Sequence, residues 1–342
     1  MEKVTVADLL PSLEKTDFKL NEQPYSSLFK IYQKEFLEIS VSTGLIHADA
    51  LALAGDGTPV VTSHRERKKR ICKCKENGIH DCNCERYFSQ PDCDIGWDSS
   101  RDCYYHGYDL YMLVDSQNDL PVFPHFSCAS KHDSHGFLHA FFRMKSFLPE
   151  YSVSKVLLDS AHDAMPYYQY FKRENITPFI DLNGKGGRSP VYKNDFTIDK
   201  DGVPICPSGF RMRRDGIEVA KGRMKFKCPK ISHAGGCISC TCESPCSNAK
   251  YGRTVHLVLK DNPRLFNNPP RSSKEWKLEY NARTSAERSN KREKLDFKLE
   301  DGRHRSTKMW YCRLYHILML QHLDAWDLPP ESPLKKLILD VA

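Results

Sequence analysis

The sequence predicts an α/β fold in which a mixed sheet is flanked by helices. Three observations carry that expectation. Residues 156–158 are apolar, 163–174 have helical character and 176–182 are again strand-like, a strand-helix-strand unit typical of a parallel sheet. Residues 107–115 and 120–128 read as strands separated by the turn-rich 116–119, which adds antiparallel pairing. Helical stretches lie toward both ends: Leu28, Tyr32, Phe36 and Ile39 recur at three- and four-residue steps before Gly44, and 306–326 is rich in Leu314, Ile317, Leu318 and Leu320.

With 342 residues the chain can bury a large core, as one elaborated domain or as two. There is no run of eighteen apolar residues, and MEKVTVADLLPSLEK lacks a basic-then-apolar leader, so a cytoplasmic protein without a membrane partner is expected. The formal charge of +7 is modest, but the cations are clustered. Stretches 65–75 and 211–230 each carry a net charge of +6, which suits a polyanion or a solvated loop. The fourteen cysteines do not read as a disulfide framework in a reduced compartment; they pose a question of metal or redox chemistry.

Residues 1–45 form an N-terminal helical segment whose apolar stripe packs on the core. The first part of the core, 46–183, opens with the apolar run 50–54, which enters Asp56 and Gly57, followed by a strand-like 60–63. Asp56 is then either an acid at a strand end, well placed to meet a metal, or the aspartate of an Asp-Gly hairpin turn. An insertion, 64–104, carries RERKKR and two C-x-C pairs, Cys72/Cys74 and Cys82/Cys84. These are four ligands for a structural zinc, or free thiols in an irregular loop. His132, Asp133 and His135 precede a helix at 136–147 and are explained by capping. Asp159 ends the strand 156–158, where functional groups of α/β sheets gather, while Asp163 competes as a helix N-cap.

Residues 184–273 shift to Gly, Pro, Lys and Cys, with strand candidates at 209–214, 223–227 and 255–260. Among their thiols Cys206, Cys228, Cys237, Cys240, Cys242 and Cys246, the pair Cys237/Cys240 has a metal-ligand gap that suggests a second zinc. Residues 274–342 are C-terminal helices and a proline-bearing tail. At roughly 100° per residue, Tyr280, Arg283, Glu287 and Lys294 share a wedge of about 60° on one helix. Such a face can hold a divalent metal and grip phosphate oxygens, or it is a solvated helix with Arg283 and Glu287 as an i,i+4 pair.

The spacing Tyr, two residues, Arg, three residues, Glu, six residues, Lys resembles the terminal motif of DDE transposases of insertion-sequence family four. The resemblance covers 50–326 and implies a ribonuclease-H-like core, with the β-rich segment and the Cys-rich loop as insertions. It implies a catalytic triad of Asp56, Asp159 and Glu287, LLDSAHD looking like the second motif. That triad would hold two Mg²⁺ ions, or Mn²⁺, for cleavage at element ends and strand transfer into target DNA. Tyr280, Arg283 and Lys294 would bind terminal phosphates, with Trp276 or Trp310 as stacking aromatics for a flipped base. The implied partner is double-stranded DNA, both terminal repeats and target, bound by a homodimer. The N-terminal helices could be a shortened end-binding region. Two other readings use the same residues: a metal-dependent nuclease without strand transfer, and a zinc-stapled DNA-binding protein without turnover.

Overall fold

The computed structural model describes residues 4–326 apart from 63–68, 71, 85, 88–91, 184–190, 193–195, 233–238, 241, 244 and 250. The chain divides into two units, Met1–Leu158 with Ala282–Ala342, and Asp159–Asn281. Most of the RERKKR run, Cys237 and the proline-bearing tail lie outside the described residues.

The first unit begins with helices α1 (Val6–Glu14), α2 (Ser26–Tyr32) and α3 (Glu38–Ser42). Strands β1 (Leu51–Val61), β2 (Lys69–Arg70), β3 (Arg86–Tyr87), β4 (Asp94–Asp98), β5 (Cys103–Asp115) and β6 (Pro121–Cys128) follow. Helix α4 (Asp133–Phe147) then leads to β7 (Val153–Leu158). β1 lies between β5, which it meets antiparallel, and β7, which it meets parallel over Leu51–Ala54. The other edge of β5 takes β6 against Tyr108–Val114 and β4 against Cys103–Gly107. The sheet is therefore mixed, as expected.

Alternate side chains of a strand point to opposite faces, and β5 uses both. Tyr111 meets Phe137 of α4 with ring centroids 5.9 Å apart. Tyr108, on the other face, lies 6.4 Å from Trp310 of the C-terminal helix. Covering both faces is why 110–114 is an unbroken buried run, Leu110, Tyr111, Met112, Leu113 and Val114, with no polar alternation. Truncating one of the fully buried aromatics, Phe137 or Trp310, would remove about 3–5 kcal/mol.

One expectation is corrected in β1. Asp56 and Gly57 do not end a strand or make a hairpin turn; the strand runs unbroken from Leu51 to Val61, with Asp56 opposite Met112. The flanking glycines answer to packing instead of turning. A Cβ on Gly55 would lie 2.7 Å from the Tyr111 hydroxyl, and one on Gly57 would lie 2.7 Å from Asp133 Oδ1.

The second unit contains α5 (Met165–Arg173), β8 (Thr177–Ile180), β9 (Val191–Tyr192), β10 (Phe196–Ile198) and β11 (Pro204–Ile205). It continues with β12 (Arg213–Glu218), β13 (Arg223–Lys227), β14 (Ile231–Ser232), β15 (Ser239–Cys240), β16 (Thr254–Val258) and α6 (Lys274–Asn281). Two three-stranded sheets, β11-β10-β9 and β12-β13-β16, share a core that includes Phe196, Met212, Met224, Phe226 and Leu257. The segment expected to be β-rich does carry short strands. The strand expected at 209–214 instead starts at Arg213 and bulges between Arg214 and Gly216. Five of the eight cations in the basic run 211–230 are paired: Arg211 with Asp199 and Asp201, Lys225 and Lys227 with Asp215, and Lys221 and Arg223 with Glu218.

The chain returns to the first unit with α7 (Thr284–Lys291), a π-helical turn Arg292–Asp296 and α8 (Thr307–Ala325), whose N-cap is Ser306. The single helix expected across 276–294 is broken at Ala282–Arg283, and its last turn widens to π geometry. Both departures change the angle per residue, so the 60° wedge computed for an ideal helix does not survive. Tyr280 ends up in α6, in the second unit, while Arg283, Glu287 and Lys294 belong to the first.

Candidate functional site

Helix α7 is pinned to the sheet by its own polar side chains. The Arg288 guanidinium takes both oxygens of Asp119, in the turn between β5 and β6, at 2.5 and 2.6 Å. Two residues on, Asn290 Nδ2 donates to Asp56 Oδ2 at 3.3 Å. Lys294 Nζ then donates to the Pro59 carbonyl at 2.8 Å and pairs with Glu300 at 3.2 Å. That stretch of β1 lies beyond its pairing with β7, so Pro59, which has no N–H to lose, sits at a free edge. Glu300 accepts the Val61 N–H there at 2.9 Å, which completes the seal.

Glu287 and Asn290 are at i and i+3 of α7, and Asn290 together with Lys294 of the π turn touches β1 around Asp56. The Glu287 side chain is 49% exposed and accepts from Arg283 at 2.5 Å, the i,i+4 pair expected from spacing. Lys294 is only 14% exposed. Arg283 and Lys294 therefore hold acids in this state, and Tyr280 stacks on Trp276 with centroids 4.6 Å apart. Trp276 and Trp310, the two stacking candidates, are buried.

Beneath Asp56, on the opposite face of the sheet, lies a second acid that spacing did not single out. Asp109 is buried, its Oδ2 has no hydrogen-bond partner, and burial first, then the charges of Asp133 and Asp56, push its carboxyl well above the usual range.

Asp159 follows β7 directly, as expected, and caps the 3₁₀ turn Ser160–His162 by accepting the Ala161 N–H at 3.1 Å. The same oxygen meets His162 Nδ1 at 2.6 Å; the histidine is buried and the Asp159 side chain is 35% exposed. Asp163 is not the N-cap of α5, a place taken by Ala164. Its side chain is fully buried and takes Arg264 through both oxygens, at 2.8 and 2.5 Å, together with the Tyr168 hydroxyl and the Asn183 N–H. Asp56 and Glu287 belong to the first unit and Asp159 to the second. The sequence reading missed Asn290 and His162, although each stands three residues after an expected acid, Glu287 or Asp159, a spacing that marks a neighbour on a helical turn.

The thiols give the other candidate site. Cys72, Cys74, Cys82 and Cys84 bring four sulfurs within 4.8 Å of one another and could hold a metal ion; no other group of three or more Cys, His, Asp or Glu ligand atoms does so among the described residues. Cys72 and Cys82 are 3.4 Å apart, Cys74 and Cys84 3.5 Å. A tight turn positions the pairs: Ile79 N–H returns to the Cys74 carbonyl at 2.8 Å past Gly78, whose φ of 76° suits glycine. Hydrogen bonding, first from the Cys84 backbone, lowers the Cys82 thiol to about 7, whereas the bond to Cys84 pushes Cys74 up to about 12. All four cannot ionise together without a cation. Cys72, Cys74, Cys82 and Cys84 are free thiols, so none of the four is a disulfide staple. In the β-rich segment, Cys206 and Cys228 are buried one by one, and no metal group includes them among the described residues. His132 caps α4 by accepting the Ser134 N–H, so capping accounts for it.

No helix is long and apolar enough to cross a membrane among the described residues. No protein-family model and no curated protein matches the chain.

Proposed function

We propose that the chain is a DNA transposase on a ribonuclease-H-like core, as its terminal motif implies, with Asp56, Asp159 and Glu287 as the catalytic acids. The observation that carries the reading is Asp56 at the centre of a buried strand, tied by Asn290 to the helix that carries Glu287. A mixed sheet with helices on both faces is compatible with that core, and rigid elements are what a cation-binding carboxylate needs.

The donors present suit magnesium: carboxylates and, beside Asp56, the buried Asn290 Oδ1, which has no hydrogen-bond partner. When bound, magnesium would supply Lewis-acid polarisation of the scissile phosphodiester. The chain's own part is positional. Asn290 steadies Asp56, and His162 steadies Asp159. Arg283 and Lys294 would exchange the carboxylates of Glu287 and Glu300 for DNA phosphate oxygens, freeing Glu287 for its cation. The partner is double-stranded DNA, held by a homodimer. The four-cysteine cluster is a structural zinc site: a Zn–S bond of about 2.3 Å gives a tetrahedron edge of about 3.8 Å. The two short sulfur separations, 3.4 and 3.5 Å, are close to that edge.

A paired-end assay with Mg²⁺ tests the proposal. Cleavage and joining are expected, with Asp56→Asn, Asp159→Asn and Glu287→Gln each lowering both at least about a thousandfold while DNA affinity stays. Cleavage without joining would point to a nuclease. The cysteine cluster equally favours a zinc-stapled DNA-binding protein, for which DNA binding is retained and no Mg²⁺-dependent nicking exists to be lost.

A further inference from the structure

Asn290 is 5% exposed and its two amide heads have different fates. Nδ2 is bonded to Asp56 Oδ2, whereas Oδ1 is buried without any partner. An unpaired buried carbonyl oxygen is destabilising by about 1–3 kcal/mol, a cost that a bound ion would relieve. Because both heads hang from one carbon, Oδ1 is confined to the neighbourhood of the same Asp56 carboxylate. A carboxylate and an amide oxygen side by side are hard donors, and the arrangement attracts a cation and repels an anion. An apolar residue of similar size at 290 would fill the space without leaving an orphan, so packing does not explain the asparagine. Nor does the bond to Asp56 alone, since that uses one head only.

We propose that Asn290 is part of the divalent-cation site of Asp56: its Nδ2 fixes the Asp56 carboxylate, and its Oδ1 is an additional oxygen donor to the ion. The inference rests on the cation-dependent reading given above and deepens it, because it adds a residue outside the acid triad and places it on the helix that carries Glu287. Asn290 thus couples the seating of α7 on β1 to cation binding: the ion pulls on the same side chain that holds the helix down. Arg288 and Lys294 keep the helix in place at either side, so loss of the asparagine alone leaves α7 anchored.

The probe is Mn²⁺ added to the full-length protein, followed by water-proton relaxation and by the shift of the melting temperature, neither of which needs DNA or turnover. Wild type is expected to bind Mn²⁺, and Asp56→Asn to weaken binding. Asn290→Ala is expected to weaken it about ten- to a hundredfold, in line with losses seen when a residue that orients a metal ligand is removed. Asn290→Asp separates a donor from a spacer. Without metal it sets a second carboxylate beside Asp56 and lowers the melting temperature; with Mn²⁺ it recovers more than wild type gains and binds at least as tightly. If Asn290→Ala fails to fold, Asn290→Asp still decides, since a purely structural asparagine predicts the same melting deficit with and without Mn²⁺. Mn²⁺ binding that depends on Asp56 but is unchanged in Asn290→Ala, or an Asn290→Asp deficit that Mn²⁺ does not relieve, overturns this inference and leaves the transposase reading standing. Absence of Mn²⁺ binding to the wild type, or binding indifferent to Asp56→Asn, overturns both.

Discussion

Replacing Glu293 by glutamine should flatten a steep pH dependence of stability. Glu293 lies in the π-helical turn after α7 and is fully buried. Its Oε1 accepts from Ser289 at 3.2 Å and from Gln321 at 3.4 Å, and its Oε2 has no hydrogen-bond partner. Burial, only partly opposed by those two bonds, raises its carboxyl from 4.5 to about 8, so it is mainly neutral at pH 7. A carboxyl raised on folding binds its proton more tightly in the native state. Its stabilising share is therefore complete below 4.5 and is lost as pH rises through about 8. At 1.36 kcal/mol per tenfold change the full effect is about 5 kcal/mol, of which about 4 kcal/mol falls between pH 5 and pH 9. Glutamine keeps the shape and can accept both hydrogen bonds but cannot ionise. Urea unfolding of both proteins across that range should show the variant gaining on wild type by several kcal/mol as pH rises. Parallel profiles would falsify the claim that Glu293 is a protonated buried acid.

Other outcomes follow from the same geometry. Cys72→Ser with Cys82→Ser should lose one zinc ion per chain by elemental analysis, and a chelator should then lower the melting temperature of wild type but not of the variant; equal zinc content would remove the thiolate site. Arg264→Ala strands the fully buried Asp163 carboxylate and should destabilise by about 3 kcal/mol in denaturant titration, with Asp163→Asn in the same background recovering part of it. Gly107→Ala would put a Cβ 1.9 Å from the Val60 carbonyl oxygen, so the β1–β5 pairing must part locally, at about 3 kcal/mol, seen as a lowered melting temperature. An alanine at 107 that melts like wild type would mean that β1 and β5 are not this close.

Local pattern carried much of the architecture. The apolar run of β5, the hairpin to β6, the helix after the HDSH stretch, β13 at 223–227 and α8 all follow from periodicity and turn residues within a short window. The paired C-x-C thiols were likewise legible as residue types at a particular spacing, and all four meet; Asp56, Asp159 and Glu287 were expectations of the resemblance.

What the sequence by itself determined was which segments are apolar on one face or two, and which side chains are chemically equipped for a cation. Only the tertiary structure decided how those groups are used. The Asp-Gly of β1 looked like a turn because glycine relieves backbone strain, yet its glycines serve the close approach of Tyr111 and Asp133, which lie far along the chain. The basic face of 276–294 looked continuous because an ideal angle was assumed, yet a break and a π turn divide it, and its arginine and lysine are held by carboxylates. Asn290 was invisible for the same reason: an asparagine on a polar helix acquires meaning only when a strand more than two hundred residues earlier sets an aspartate against it. Propensity and spacing act over a few residues, whereas pairing and desolvation depend on neighbours brought together through space.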